Sequence, residues 1–207
     1  MNPPVVKVSS KETVFFVCDV QTKFRPAIYE FESLLLTARK MLRAAKILEI
    51  PVVYTEQNSR ALGPTAPELL PEPFNLGDLY LGTIEKTLFS MATPDVLSIL
   101  NKHGLTQIVL FGIESHVCVL QSALDLLDRG YRVHVIADGV SSCNPGEISI
   151  ALERMRQAGA QITTSESLLF QLQADSSKSN FKAFSAIIKD EKESTRASMQ
   201  KLIRSAL

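Results

Sequence analysis

The chain has 207 residues, with 22 basic and 22 acidic side chains balanced to a formal net charge of zero. That balance gives no general pull toward nucleic acid or an anionic membrane surface, and 45% apolar with 21% charged residues excludes a largely disordered or fibrous chain. Three cysteines without CxxC spacing make neither a disulfide framework nor an obvious zinc site, and they suit a reducing compartment.

Thr13 to Cys18 is a continuous apolar run ending at Asp19, the pattern of a central parallel strand buried on both faces. Apolar side chains at helical spacing (Leu35, Met41, Leu42, Ala45, Leu48) predict a helix over 32–50, stopped by Pro51, and Val52 to Tyr54 reads as a second strand. From Gln57 to Gly82 the chain is rich in proline and glycine (Pro64, Pro67, Pro71, Pro73, Gly63, Gly77), which predicts a long irregular loop of the kind that usually carries function. A short strand follows over 79–85. A helix over 94–102 follows it, with Thr93 as N-cap and Pro94 in the first turn. The next units are a strand over 107–112, a helix over 115–129 closed by Gly130, and a strand over 131–137. A helix over 147–157 and a short strand over 160–163 complete the alternation.

Strands alternating with helices predict an α/β fold: a parallel, doubly wound sheet with helices on both faces. Residues 1–12 form an N-terminal arm, 13–173 the domain, and 174–207 an extension richer in Ser, Lys and Glu. In that extension Phe181, Phe184 and Ile188 share one helical face, as do Met199, Leu202 and Ile203, so helices packed on the domain or on a second subunit are expected. No stretch approaches the roughly 18 apolar residues of a membrane helix, and the first dozen residues lack the marks of a signal or transit peptide. The expectation is a cytoplasmic protein, with mitochondrial or nuclear import left open.

GxGxxG, GxxxxGK[ST] and GxSxG are all missing, which removes the usual support for dinucleotide, P-loop and serine-hydrolase readings. Two strand ends stand out instead: Asp19 after the first strand, and Cys118 just beyond Gly112. With Ser115 as N-cap, Cys118 is the third helical residue, where free backbone N–H groups and the positive end of the helix dipole suit an anionic nucleophile. If the strand order is 3-2-1-4-5-6, Asp19 and Cys118 end neighbouring strands at the switch point where ligands bind. Against this stand plainer readings: Cys118 as an inert buried thiol, Asp19 as a turn cap, Cys18 as core and Cys143 as a loop thiol without a partner. His103, His116 and His134 are scattered, and the His116/Cys118 pair finds no further metal ligands in sequence.

The words Phe16-Val-Cys-Asp19-Val-Gln21-x-x-Phe24, Thr55-Glu-Gln57, Lys86-Thr-x-Phe-Ser-Met91 and Gly112-Ile-Glu114-x-x-x-Cys118 carry a more specific signal. With Leu124 to Gly130, Arg154 to Gly159 and Thr164-Ser-Glu166 they run in order from about residue 13 to 173. On these residues the chain resembles the isochorismatase-like cysteine hydrolase family. The resemblance implies an αβα sandwich around a six-stranded parallel sheet and an Asp19–Lys86–Cys118 triad. It also implies a cis peptide at Ile113–Glu114 and an oxyanion held by N–H groups near Val117 and Cys118. Lys86 has no signal of its own. Gln21, Phe24 and Tyr80 are candidate pocket walls under the 57–82 loop, with ordinary core as the plainer reading of the two aromatics.

The implied chemistry is hydrolysis of a small amide-type substrate through a thioester, in a homo-oligomer (dimer or tetramer), without metal or cofactor. Nicotinamidases of the family carry a metal-binding aspartate and histidines after the second strand. Here that stretch, Thr55 to Gly63, holds no histidine. Two alternatives stay open. One is a binding or regulatory partner that keeps the fold; the other is vinyl-ether hydrolysis by the aspartate alone.

Overall fold

The structure is a computed structural model, and it describes residues 6–203. Residues 1–5 of the expected arm and 204–207 of the extension lie outside the described residues. Six strands form one parallel sheet: β1 (Thr13–Cys18), β2 (Val52–Gln57), β3 (Tyr80–Lys86), β4 (Gln107–Ile113), β5 (Arg132–Ser141) and β6 (Gln161–Thr163). Their order is β3-β2-β1-β4-β5-β6, which reverses direction between β1 and β4. That is the topological switch point, and loops from the carboxyl ends of β1 and β4 diverge there to leave a crevice.

The period-2 geometry of a strand splits the apolar residues of β1 between two cores. Phe15 and Val17 face one side, with α1 (Phe31–Leu48), α6 (Ser165–Gln173) and α7 (Phe181–Asp190). Val14, Phe16 and Cys18 face the other, with α3 (Pro94–His103), α4 (Leu120–Asp128) and α5 (Pro145–Gln157). Every β1 residue is buried, as the unbroken apolar run requires. Between β2 and β3 the chain makes α2 (Ser59–Leu62), a single turn, and three short 3₁₀ turns. Thr93 caps α3 by accepting from the Val96 N–H, and Gly104 closes it in the left-handed region.

Several boundaries differ from expectation, and one helix is new; α1 stops at Leu48 rather than residue 50, because Glu49 turns into the left-handed region. β2 continues to Gln57, because its last residues pair with β3. β5 continues through a register shift opposite Leu110 and Gly112 to Ser141. The segment after β6, which gave no separate helical signal, forms α6, capped by Thr164 and anchored where Asp138 accepts from the Ser165 N–H at 2.7 Å.

The C-terminal extension packs on its own domain. After α7, α8 (Lys192–Ser198) and a wide π-helical turn (Met199–Ile203) lie along α1 and β5. Buried Lys40 of α1 donates to Thr195 Oγ1 at 2.7 Å, Ser198 Oγ donates to the Ser33 carbonyl at 2.9 Å, and Arg43 pairs with Asp190 and Glu191. Phe184 and Leu202 are fully buried. The extension therefore completes the core on the α1 face.

His134 of β5 is buried, and its Nε2 has no hydrogen-bond partner among the described residues. Burial, with help from nearby Arg132, lowers its pKa from 6.5 to about 4. Between these values the unfolded chain binds a proton that the native chain does not, so stability falls as pH drops through that window. The expected extra loss from pH 7 to pH 4 is up to about 3 kcal/mol. Denaturant midpoints at the two pH values should show a smaller loss for His134→Gln than for wild type; equal losses would contradict this.

Candidate active site

Gly112 brings β4 against the end of β1. Its φ is +130°, and a Cβ there would lie 2.2 Å from the Cys18 carbonyl oxygen and 2.7 Å from its nitrogen. No side chain fits, so β4 and the turn after it stand directly beside Asp19 and Cys18. Asp19 itself turns the chain out of the sheet in the left-handed region, at φ +51°. Aspartate tolerates that region better than most side chains.

The Asp19 carboxylate is buried and bonded on both oxygens. Thr55 Oγ1 donates to Oδ1 at 2.7 Å, and Lys86 Nζ donates to Oδ2 at 2.7 Å. Both ion-pair side chains are only 1% exposed. Lys86 Nζ also reaches Gln57 Oε1 at 2.8 Å, the Phe89 carbonyl at 3.0 Å and the Leu88 carbonyl at 3.2 Å. Three protons facing four acceptors leave the ammonium fully engaged.

Cys118 lies across the switch point, 7% exposed, in the apolar cluster that contains Cys18, Met91, Ala137 and Val140. The Cys18 thiol is pushed well above its ordinary pKa by burial, then by its hydrogen bond with Cys118 and by the Asp19 charge. Cys18 is thus the bridge between the two ends: chain neighbour of Asp19 and side-chain neighbour of Cys118. Ser122 adds a second link. Its Oγ donates to the Cys118 carbonyl at 2.6 Å and accepts from the Met91 N–H at 2.7 Å, joining the Cys118 turn to the segment after Lys86.

The turn carrying Cys118 departs from expectation. The cis peptide at Ile113–Glu114 is present. The first turn, Ser115–Val119, is π-helical with Glu114 at the cap, so Cys118 is the fourth helical residue. Ser115 does not cap: its hydroxyl is buried and bonds Ser142 Oγ at 2.5 Å. The Val117 N–H, expected to face an oxyanion, donates to the Glu114 carbonyl at 3.0 Å, which also accepts from Val119.

The candidate walls are placed unevenly. Gln21 is fully buried and clamps the loop: its amide exchanges bonds with the Gln57 backbone and donates to the Gly63 carbonyl at 2.6 Å. Phe24 is half-buried against the α1-side core. Tyr80 is not brought to this cluster. It opens β3, six residues and roughly 20 Å from Lys86 at the strand's other end, where its ring meets Tyr54 edge-on. Thr55 and Gln57 carry no site signal in the sequence beyond their place in the Thr55-Glu-Gln57 stretch, yet each bonds directly to the ion pair.

The isochorismatase domain family matches residues 13–167. Isochorismatase domain-containing protein 2 of Xenopus laevis is 46% identical over 183 residues, 88% of this chain and 86% of that protein. Isochorismatase family protein 1B of Dictyostelium discoideum is 42% identical over 189 residues, 90% of this chain and 91% of that protein. Among solved structures, the MAR1 ribonuclease from Caenorhabditis elegans superposes with a TM-score of 0.80 at 37% identity, covering 89% of this chain and 93% of that one.

The Asp19–Lys86 pair generates a stability prediction. Removing one partner of a buried pair leaves an uncompensated charge, at a cost of about 3–5 kcal/mol. Lys86→Met and Asp19→Asn should each lower the denaturant midpoint accordingly. The double variant should lose at least about 1 kcal/mol less than the two single losses together. Simple additivity would show that the pair is not coupled.

Proposed function

The chain belongs to the isochorismatase domain family, and from that premise we propose that it is a cysteine-dependent hydrolase of small amide-type substrates. The observation that carries this reading is the buried Asp19–Lys86 pair, fixed at 2.7 Å beside the strand end that leads to Cys118. Asp19 accepts the Cys118 proton as the sulfur attacks a carbonyl carbon. Lys86 holds the carboxylate in place and offsets its charge, an effect that grows where water is excluded. Backbone N–H groups at the nucleophile turn receive the developing oxyanion, with the Val117 N–H released from Glu114 to do so. The tetrahedral adduct collapses as Asp19 returns the proton to the leaving amine, leaving a thioester on Cys118. Asp19 then takes a proton from water, whose oxygen attacks the thioester carbon; product acid leaves and the thiol is restored.

Substrate size follows from burial. Asp19, Lys86 and Cys118 are all buried, at 1%, 5% and 7% exposed, so a reacting group must be slender. Leu88 and Phe89, whose own carbonyls hold Lys86, are 58% and 50% exposed and give this region an apolar edge. A nuclease reading finds no comparable support: Lys86 is committed to Asp19, and zero net charge offers no general attraction for a polyanion.

A panel of small aliphatic and aromatic amides tests the proposal. Cys118→Ala and Asp19→Ala should each lower kcat/KM by at least about a thousandfold. Turnover of a vinyl ether, assayed beside the amides, that survives Cys118→Ala but not Asp19→Ala would replace it with acid catalysis by the aspartate, and inactivity of wild type on every substrate would favour a binding role. Iodoacetamide should label Cys118 ahead of Cys143 and Cys18, as mapped by peptide mass; equal labelling of all three would count against an activated thiol.

A further inference from the structure

The loops that follow β4 and β5 bring together three side chains that the hydrolysis does not use. Glu114 and His116 come from the nucleophile turn, and Cys143 comes from the loop between β5 and α5. One ligand atom from each of the three lies within 4.8 Å of the others. Glu114 and His116 are half-buried and Cys143 is exposed, so solvent reaches the cluster.

The contacts around these groups fix their positions. Glu114 Oε2 accepts the Cys143 backbone N–H at 2.8 Å, holding the two loops together. His116 Nδ1 bonds Ser142 Oγ at 3.0 Å, and Ser142 is itself held by Ser115. That hydrogen bond occupies one ring nitrogen and orients the ring, the part that outer-shell partners play for ligating histidines. The Cys143 thiol bonds the Glu114 carboxylate, which raises its pKa above the ordinary value.

We propose that Glu114, His116 and Cys143 bind a zinc-class divalent cation, which ties the nucleophile turn to the loop after β5. The donor set decides the class: one sulfur, one imidazole nitrogen and one carboxylate oxygen suit zinc or cobalt, whereas calcium and magnesium take oxygen ligands. The geometry is close. At bond lengths of about 2.0–2.3 Å, tetrahedral ligand atoms stand roughly 3.3–3.6 Å apart, so atoms within 4.8 Å of one another need to close by at most about 1.5 Å. Rotation of the exposed Cys143 and of the Glu114 carboxyl supplies that movement. In the binding step the cation forms one bond each to sulfur, nitrogen and oxygen, and the thiol proton passes to solvent. Water fills the fourth position. The site is independent of the hydrolase reading, and no step of that chemistry passes through it.

Cobalt(II) titration of the full chain tests this, because a thiolate–cobalt bond gives a near-ultraviolet charge-transfer band. The titration is made in a Cys118→Ala background, so the band cannot come from that thiol. One equivalent of cobalt should produce the band, and added zinc should abolish it by displacement. Cys143→Ser should remove the band, and His116→Gln should weaken cobalt binding at least about tenfold. Circular dichroism checks that each variant is folded; Cys143 is exposed, so its replacement leaves the core intact. Absence of the band at excess cobalt, or its persistence in folded Cys143→Ser protein, would overturn the proposal.

Discussion

The buried ion pair between Asp19 and Lys86 organises the rest of this site. The two residues end strands that are not neighbours: β2 lies between β1 and β3. A carboxylate and an ammonium meeting across the end of an intervening strand, almost sealed from water, each lose several kcal/mol of hydration. Their attraction repays that cost only if every other donor and acceptor is met. β2 therefore supplies Thr55 and Gln57, and the segment after β3 supplies two carbonyls. Gln21 in turn holds the Gln57 backbone and the Gly63 loop in place. The loop conformations around the site follow from satisfying one pair of charges.

The same constraint connects to the Cys118 turn through close packing rather than charge. Gly112 allows β4 to lie against Cys18 at a distance no side chain permits. Ser122 then links the Cys118 carbonyl to Met91, a few residues past Lys86. A shift at either end is thus felt at the other. Further out, the second loop pair, bridged by Glu114 and Cys143, braces the turn from the β5 side. The C-terminal helices close the opposite face of the sheet over α1.

Much of the fold was legible because its signals are local. An unbroken apolar run marks β1, α1 ends within three residues of Pro51, and the Thr93–Pro94 cap begins α3. The strand–helix alternation predicted a parallel sheet but left its order as a condition; the observed order meets that condition and makes β1 and β4, the strands before Asp19 and Cys118, neighbours. Lys86 was not legible from local pattern, since a lysine ending a half-exposed strand looks like any solvated lysine; only the family resemblance singled it out. Ser115 looked like a cap because the partner that recruits its hydroxyl, Ser142, lies on another loop. Tyr80 was counted as a wall by loop proximity, yet the first residue of a parallel strand sits at the end of the sheet away from the crevice. Glu114, His116 and Cys143 could not be grouped by spacing, because two loops separated by a helix and a strand bring them together.

The central claim is that this arrangement makes Cys118 a covalent nucleophile with Asp19 as its proton acceptor. The most direct measurement is acid quench of the protein during turnover of a small acyl anilide, followed by peptide mass mapping. The account predicts an acyl group on the peptide carrying Cys118, which decays as water cleaves the thioester and does not form in Asp19→Asn. Steady turnover with no acyl group on Cys118 at any quench time, or an acyl group on Cys143 instead, would contradict it.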